Sequence, residues 1–429
     1  MSAPRPPARG PHRHYAWTIV VAALVVEFFG LGFGFFALVA SYPYFEQLGW
    51  ARTTVVASSS ILILVVALLA PMTGIYMDRR SLRQLFIIGG LTMAVGHALL
   101  GFAETPLGFF FAAAVLGVGM AGVTILPNQV LISRWFRSRL GLANGLISAG
   151  TVLGGSLSTM VVTMCAESYG RRFAFLVLAA LVGTVPPLVG WLVVRDRPED
   201  MGLEPYDEGE PRRDAAFDER TVVIGEVVRQ RTFWLIAGGL VLATVPCYTS
   251  NKHLILYLRD IGLDATAAAE VKSSFILMAG LGRLLTGIAC DRFDRYRVLI
   301  AAYVLGAISF PIIFAMPTRP ALIAYPLLFG LAYGGIMPMM PIMVVECFGL
   351  AALGTILGWI KIAYDASAAT APLAAAYAYD RLGNYHAVFV VNWLCAVAAV
   401  WCAIALAHGR TRERRTLAAA EPARAAAGR

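Results

Sequence analysis

Four charged side chains stand where charge is costly. Glu27, Arg283, Lys361 and Asp365 each lie inside a long apolar run. An ionised group at mid-bilayer costs from about 2.5 to over 10 kcal/mol, so one retained there calls for a partner or a task. Arginine presents a planar two-pronged donor that matches a carboxylate, and lysine a compact point charge. Arg283 and Lys361 therefore suit the holding of a small anion, while Asp365 and Glu27 suit proton carriage. Plainer roles stand beside these. Arg283 also fits a structural cation set on a carbonyl or carboxylate. Lys361 and Asp365, one helical turn apart, can neutralise each other as an i,i+4 pair. Asp365 then tunes the lysine, titrates, or does neither, and Glu27 is either a proton site or a protonated structural residue.

The elements that position these groups follow from composition. Of 429 residues, 59% are hydrophobic and only 14% are Asp, Glu, Lys or Arg. Soluble domains carry about 45–50% apolar and about 25% charged residues, so this chain cannot coat a water-facing surface. That excludes a soluble enzyme, a disordered scaffold and a nucleic-acid-binding module. The six cysteines (Cys165, Cys247, Cys290, Cys347, Cys395, Cys402) form no CxxC pair, and neither HExxH nor GxSxG occurs, so no metal, cofactor or enzymatic nucleophile is expected.

Membrane helices need about 20 mostly apolar residues. Such runs fall at 17–41, 53–77, 84–103, 107–131, 141–165 and 173–195, and again at 232–257, 266–290, 298–317, 320–345, 352–378 and 386–408. The expectation is an all-α membrane protein of twelve spans. A tail (1–16) precedes a first six-helix half (17–195), a polar linker (196–231) with a short amphipathic helix near 217–230, a second half (232–408) and a C-terminal tail (409–429). The first span reads as retained, not as a signal peptide. Most of the 35 basic residues fall in the tails, the linker and the loops on one side; Arg52, Arg171, Arg172, Arg259, Arg319 and Arg381 fall on the other. Basic loops stay in the cytoplasm, which places both termini there.

The halves repeat. Under the shift that lays Asp291-Arg292 on Asp78-Arg79, Gly49 meets Gly262, Gly74 meets Gly287, Gly117 meets Gly330, Gly141 meets Gly354 and Gly170 meets Gly383. Two parallel six-helix halves around a central cavity are what such a repeat implies. The functional charges break it: Arg283 meets Ala70, Lys361 meets Ser148, Asp365 meets Val152, and Leu240 stands opposite Glu27. What both halves keep is scaffold; what only one carries is more naturally for cargo.

Gly74-Ile-Tyr-Met-Asp78-Arg79 after span 2, and Gly287-Ile-Ala-Cys-Asp291-Arg292 after span 8, resemble the G-x-x-x-D-R signature of the major facilitator superfamily. The resemblance implies two six-helix halves working by alternating access, and makes these six residues a conformational gate. Finer features resemble the bacterial monocarboxylate transporters and the related oxalate:formate antiporters. They are Glu46-Gln-Leu-Gly49-Trp50-Ala-Arg52, Trp135-Phe136 with Arg139-Leu-Gly141-Leu-Ala, Gly282-Arg283-Leu, and Asp380-Arg-Leu-Gly383-Asn-Tyr385. Leu140 departs from the arginine usual at its place.

In that superfamily spans 8 and 11 line the cavity, and an arginine and a lysine on them resemble the antiporter's arrangement. At 1.5 Å per residue, Arg283 lies roughly 12 Å and Lys361 roughly 13 Å above the cytoplasmic helix ends, a matched depth for gripping one anion. Tyr248, Tyr333, Tyr364 and Asn128 are candidates to complete its hydrogen-bond shell, with Asn144 and Asn251 behind them. The animal monocarboxylate transporters carry a span-1 lysine and an aspartate one turn before the span-8 arginine; here stand Glu27 and Ala279. That departure tilts the reading toward a dicarboxylate or an exchange role, with proton symport through Asp365 or Glu27 as the alternative and efflux of hydrophobic compounds as a weaker one. The expected setting is the bacterial-type inner membrane. The expected partners are the lipid bilayer, a small carboxylate and a co-transported proton or counter-anion, without nucleic acid and with a monomer as the working unit.

Overall fold

The computed structural model describes residues 12–208, 224–316 and 318–427, and nearly all of them are helical. The chain begins with α1 (His12–Glu27), a π-helical stretch (Phe28–Phe36), α2 (Ala37–Ala40) and α3 (Tyr42–Glu46). It continues through α4 (Arg52–Arg79), α5 (Leu82–Phe102), α6 (Pro106–Val123), α7 (Ile125–Trp135), α8 (Leu140–Tyr169) and α9 (Arg171–Leu192). A short α10 (Ile224–Arg229) leads into α11 (Arg231–Asp260), α12 (Ala265–Arg292), α13 (Arg295–Ile313), α14 (Arg319–Phe348), α15 (Leu353–Leu382) and α16 (His386–Ala427). The part of the expected amphipathic helix before residue 224 lies outside the described residues.

Two compact units result. One holds residues 1–219 with 349–359, the other 220–348 with 360–429. In the first, α5 packs on α9 and α6, α4 on α6, and α8 on the π-helical stretch. In the second, α12 and α13 pack on α14, and α11 and α13 on α16.

The sequence repeat is a repeat of helix boundaries. α4 and α12, and likewise α8 and α15, start and stop at equivalent residues. Gly49 with Gly262, and Gly170 with Gly383, take positive φ between 69° and 96°, the left-handed backbone that lets a chain turn sharply between spans. Short polar caps set other ends: the Asp264 carboxylate accepts from Ala267 N (2.8 Å) and the Asp294 carboxylate from Tyr296 N and Arg297 N (3.1 Å each).

Two expected spans are irregular. The first is one continuous run of turns, but its middle widens into the π-helical stretch, where Gly30, Gly32 and Gly34 let neighbours approach closely. The fourth divides at Thr124, whose extended backbone separates α6 from α7.

Among the described residues, eleven helices are long and apolar enough to cross a membrane, and their outward faces carry large apolar side chains such as Met72, Leu107 and Leu277. The expected eleventh span, in α15, is not among them. It is as long as its counterpart α8, but Lys361, Asp365 and its tyrosines lower its apolar character.

Candidate functional site

In the second unit, three helices bring predicted residues together. Lys361 and Asp365 lie one turn apart on α15 and are paired: Nζ donates to both carboxylate oxygens, at 2.9 and 2.8 Å. Their side chains are 14% and 9% exposed, so this is an ion pair largely withdrawn from solvent. Beside it, the Tyr364 hydroxyl meets that of Tyr248 from α11 at 3.1 Å and lies 3.5 Å from Met337 Sδ on α14. Tyr248 also stands edge-on to Tyr333 of α14, with ring centroids 6.4 Å apart. Tyr333, Tyr248, Tyr364, Lys361 and Asp365 form one continuous cluster, and α12 contributes Arg283 to the same unit. Asn251 extends it, accepting from Lys272 Nζ through both its backbone and side-chain oxygens.

Lys272 is thus occupied with Asn251 and sits over the Phe275 ring. His253 is buried, with Nδ1 at 2.9 Å from the Tyr385 hydroxyl and Nε2 at 2.9 Å from the Pro372 carbonyl. It ties α11 to α15 and to the turn that follows.

Glu27 belongs to a different cluster, in the first unit. It is wholly buried at the end of α1, where the π-helical stretch begins. Asn128 Nδ2 donates to one of its oxygens and Thr151 Oγ1 to the other, each at 3.0 Å. Asn128 also donates to the Val123 and Thr124 carbonyls, left open where α6 breaks from α7. Its structural surroundings differ from those of the tyrosines with which it was grouped: it is fully buried and joins Glu27 to a helix break. Thr151 carries no charge and gave no signal in the sequence.

The gate motif of the first repeat is anchored through its acid. Asp78 accepts hydrogen bonds from Gly354 N (2.9 Å), Thr355 N (2.7 Å) and Thr355 Oγ1 (2.6 Å), and so caps the start of α15. A carboxylate there meets the partial positive charge of the helix N-terminus. Gly74 makes the approach possible: a Cβ on it would stand 2.2 Å from the Gly354 carbonyl oxygen. Arg79 is exposed, and the acid beside it binds a helix end. In the second unit Gly287 is buried, Asp291 half-buried and Arg292 exposed, and Arg295 pairs with Glu346 at 2.8 Å.

Long apolar helices in two repeated units, with ionisable and tyrosine-rich clusters held inside them, define a multi-pass membrane protein of the transporter class. The family model described as Major Facilitator Superfamily matches residues 23–269 and 253–428, and the chain belongs to that superfamily. The chain is 24% identical over 398 residues to Monocarboxylate transporter 3 of Rattus norvegicus, covering 90% of this chain and 78% of that protein. It is 22% identical over 378 residues to Monocarboxylate transporter 12 of Mus musculus, covering 83% and 77%. The E. coli fucose:proton symporter has a similar fold, with a TM-score of 0.67 at 16% identity over 92% of this chain and 99% of that one.

Proposed function

We propose that this protein is a secondary transporter of small carboxylate anions, of oxalate/formate or monocarboxylate type, working by alternating access in a bacterial-type inner membrane. In this reading the chain crosses the bilayer twelve times, keeps both termini in the cytoplasm and acts as a monomer, with the glycine and Asp-Arg motifs as its gate. Arg283 and Lys361 hold the cargo carboxylate, and Tyr248, Tyr333 and Tyr364 supply hydroxyl groups to it. One observation carries the proposal: α11, α14 and α15 of the second unit converge on a tyrosine-lined cluster that holds Lys361, in the unit to which α12 contributes Arg283. Relatives named monocarboxylate transporters agree with it. A carrier of hydrophobic compounds has no use for such cations.

The test is uptake of labelled lactate, pyruvate, formate and oxalate into proteoliposomes. Loss of a charge-assisted hydrogen bond costs about 1.5–3 kcal/mol, so Arg283→Ala and Lys361→Ala should each weaken half-saturation by roughly tenfold or more. Full uptake of every transported carboxylate by both variants would refute the site. Proton symport is the second reading, favoured by Glu27, a wholly buried carboxyl that accepts from the Asn128 amide and the Thr151 hydroxyl.

A further inference from the structure

The sequence raised the Lys361–Asp365 pair as a plain alternative to cargo binding; its geometry suggests that the two roles are linked. Both oxygens of Asp365 engage Lys361, at 2.9 and 2.8 Å, and both side chains are mostly buried. An ammonium has three donors, so the pair leaves the lysine one to offer. The Tyr364 ring lies 5.9 Å from Nζ, but its hydroxyl is directed to Tyr248 and Met337. A carboxylate reaching Lys361 therefore meets a cation already compensated. It must share Nζ with Asp365 or displace one of its oxygens.

Two consequences follow from charge. A dianion brings twice the repulsion of a monoanion against Asp365, so the acid disfavours doubly charged cargo. When no cargo is bound, the same acid keeps Lys361 compensated, and a buried cation without compensation is what would hinder an empty carrier from reorienting. Because both partners sit on one turn of α15, the pair survives any rigid movement of that helix.

Resting on the carboxylate reading of Arg283 and Lys361, we propose that Asp365 is the specificity-determining counter-ion of the site. It competes with cargo for Lys361, restricts the carrier toward monoanions, and lets the unloaded carrier return without a counter-anion. This departs from the tilt toward dicarboxylate exchange that the span-1 and span-8 sequence suggested.

The experiment compares lactate and oxalate uptake into proteoliposomes, with and without internal anion, for the natural protein and for Asp365→Asn, Asp365→Glu, Lys361→Gln and Lys361→Gln/Asp365→Asn. The natural protein and Asp365→Glu should take up lactate without internal anion. In Asp365→Asn the oxalate-to-lactate preference should rise by roughly tenfold, the worth of one charged contact, and uptake should become dependent on internal anion. Lys361→Gln leaves Asp365 facing the cargo and should weaken half-saturation by more than about tenfold, whereas the charge-balanced double variant should recover part of it. If Asp365→Asn cannot be recovered folded, the comparison of Lys361→Gln with the double variant decides. An unchanged preference and unchanged anion dependence in Asp365→Asn, or a double variant no better than Lys361→Gln, overturns the counter-ion proposal. Uptake that requires Arg283 and Lys361 but ignores Asp365 sinks this proposal alone; a natural protein that moves no carboxylate sinks both.

Discussion

Glu27 has two hydrogen-bond donors of known identity and no exposed surface, which makes its two substitutions separable. Glutamine keeps an oxygen for the Asn128 amide and an NH2 that the Thr151 hydroxyl can accept, so Glu27→Gln preserves the shape of the cluster while removing its exchangeable proton. It should unfold near the natural temperature, retain exchange of labelled for unlabelled anion, and lose stimulation by an inward proton gradient. Glu27→Ala removes the acceptor shared by the Asn128 amide and the Thr151 hydroxyl and should cost about 1–3 kcal/mol of stability, read as a lower unfolding temperature. If Glu27→Gln kept its full response to the gradient, Glu27 would be a structural residue and Asp365 the remaining coupling candidate. Glu27, Arg283, Lys361 and Asp365 were legible in the sequence because charge inside an apolar run is itself a signal. Thr151 and the helix break at Thr124 were not, since a threonine in a membrane helix more often bonds its own backbone, as Thr92 and Thr159 do here.

At the scale of elements, α8 and α15 have the same length and repeat position but different packing, and their small residues explain it. Gly154 lets α8 lie against α1 and the π-helical stretch: a Cβ on it would stand 2.2 Å from the Phe28 carbonyl oxygen. The equivalent position in α15 is Ser367, and the positions matching Gly150 and Gly155 are Ala363 and Ala368. With those Cβ atoms present, α15 reaches α11 through longer side-chain contacts, Tyr364 to Tyr248 and the Pro372 carbonyl to His253. Gly154→Ala should therefore destabilise the protein by about 1–3 kcal/mol through overpacking. Ser367→Ala, which loses only a local bond to the Tyr364 carbonyl, should stay close to the natural unfolding temperature. Equal losses in a thermal unfolding assay would contradict the packing account. Hydropathy and the glycine register located the helices well, because length and apolarity fix a membrane span. They did not locate the π-helical widening, which depends on which neighbouring backbone fills the space above each glycine.

For the molecule as a whole, the orientation of the chain rests on arginines in its loops, and the number of crossings rests on α15. Among the described residues eleven helices are long and apolar enough to cross, and α15 falls short because it carries Lys361 and Asp365. At 1.5 Å per residue its thirty residues extend about 45 Å, ample for a hydrocarbon core of about 30 Å. Its two charges are joined bidentately, so what enters the bilayer is closer to a dipole than to two ions. This predicts that α15 crosses. Reporter fusions check it: a fluorescent protein that matures only in the cytoplasm and a phosphatase active only outside it, placed at Gly349, at Gly383 and at the C-terminus. With twelve crossings and cytoplasmic termini, fluorescence should appear at Gly349 and the C-terminus, and phosphatase activity at Gly383. Fluorescence at Gly383 as well as at Gly349 would mean that α15 does not cross, and Lys361 would lose its claim to a buried cargo. Repeating the fusions with Asp365→Asn tests the cause. If mutual neutralisation is what lets α15 insert, that single substitution should lower phosphatase activity at Gly383 while leaving the Gly349 signal unchanged.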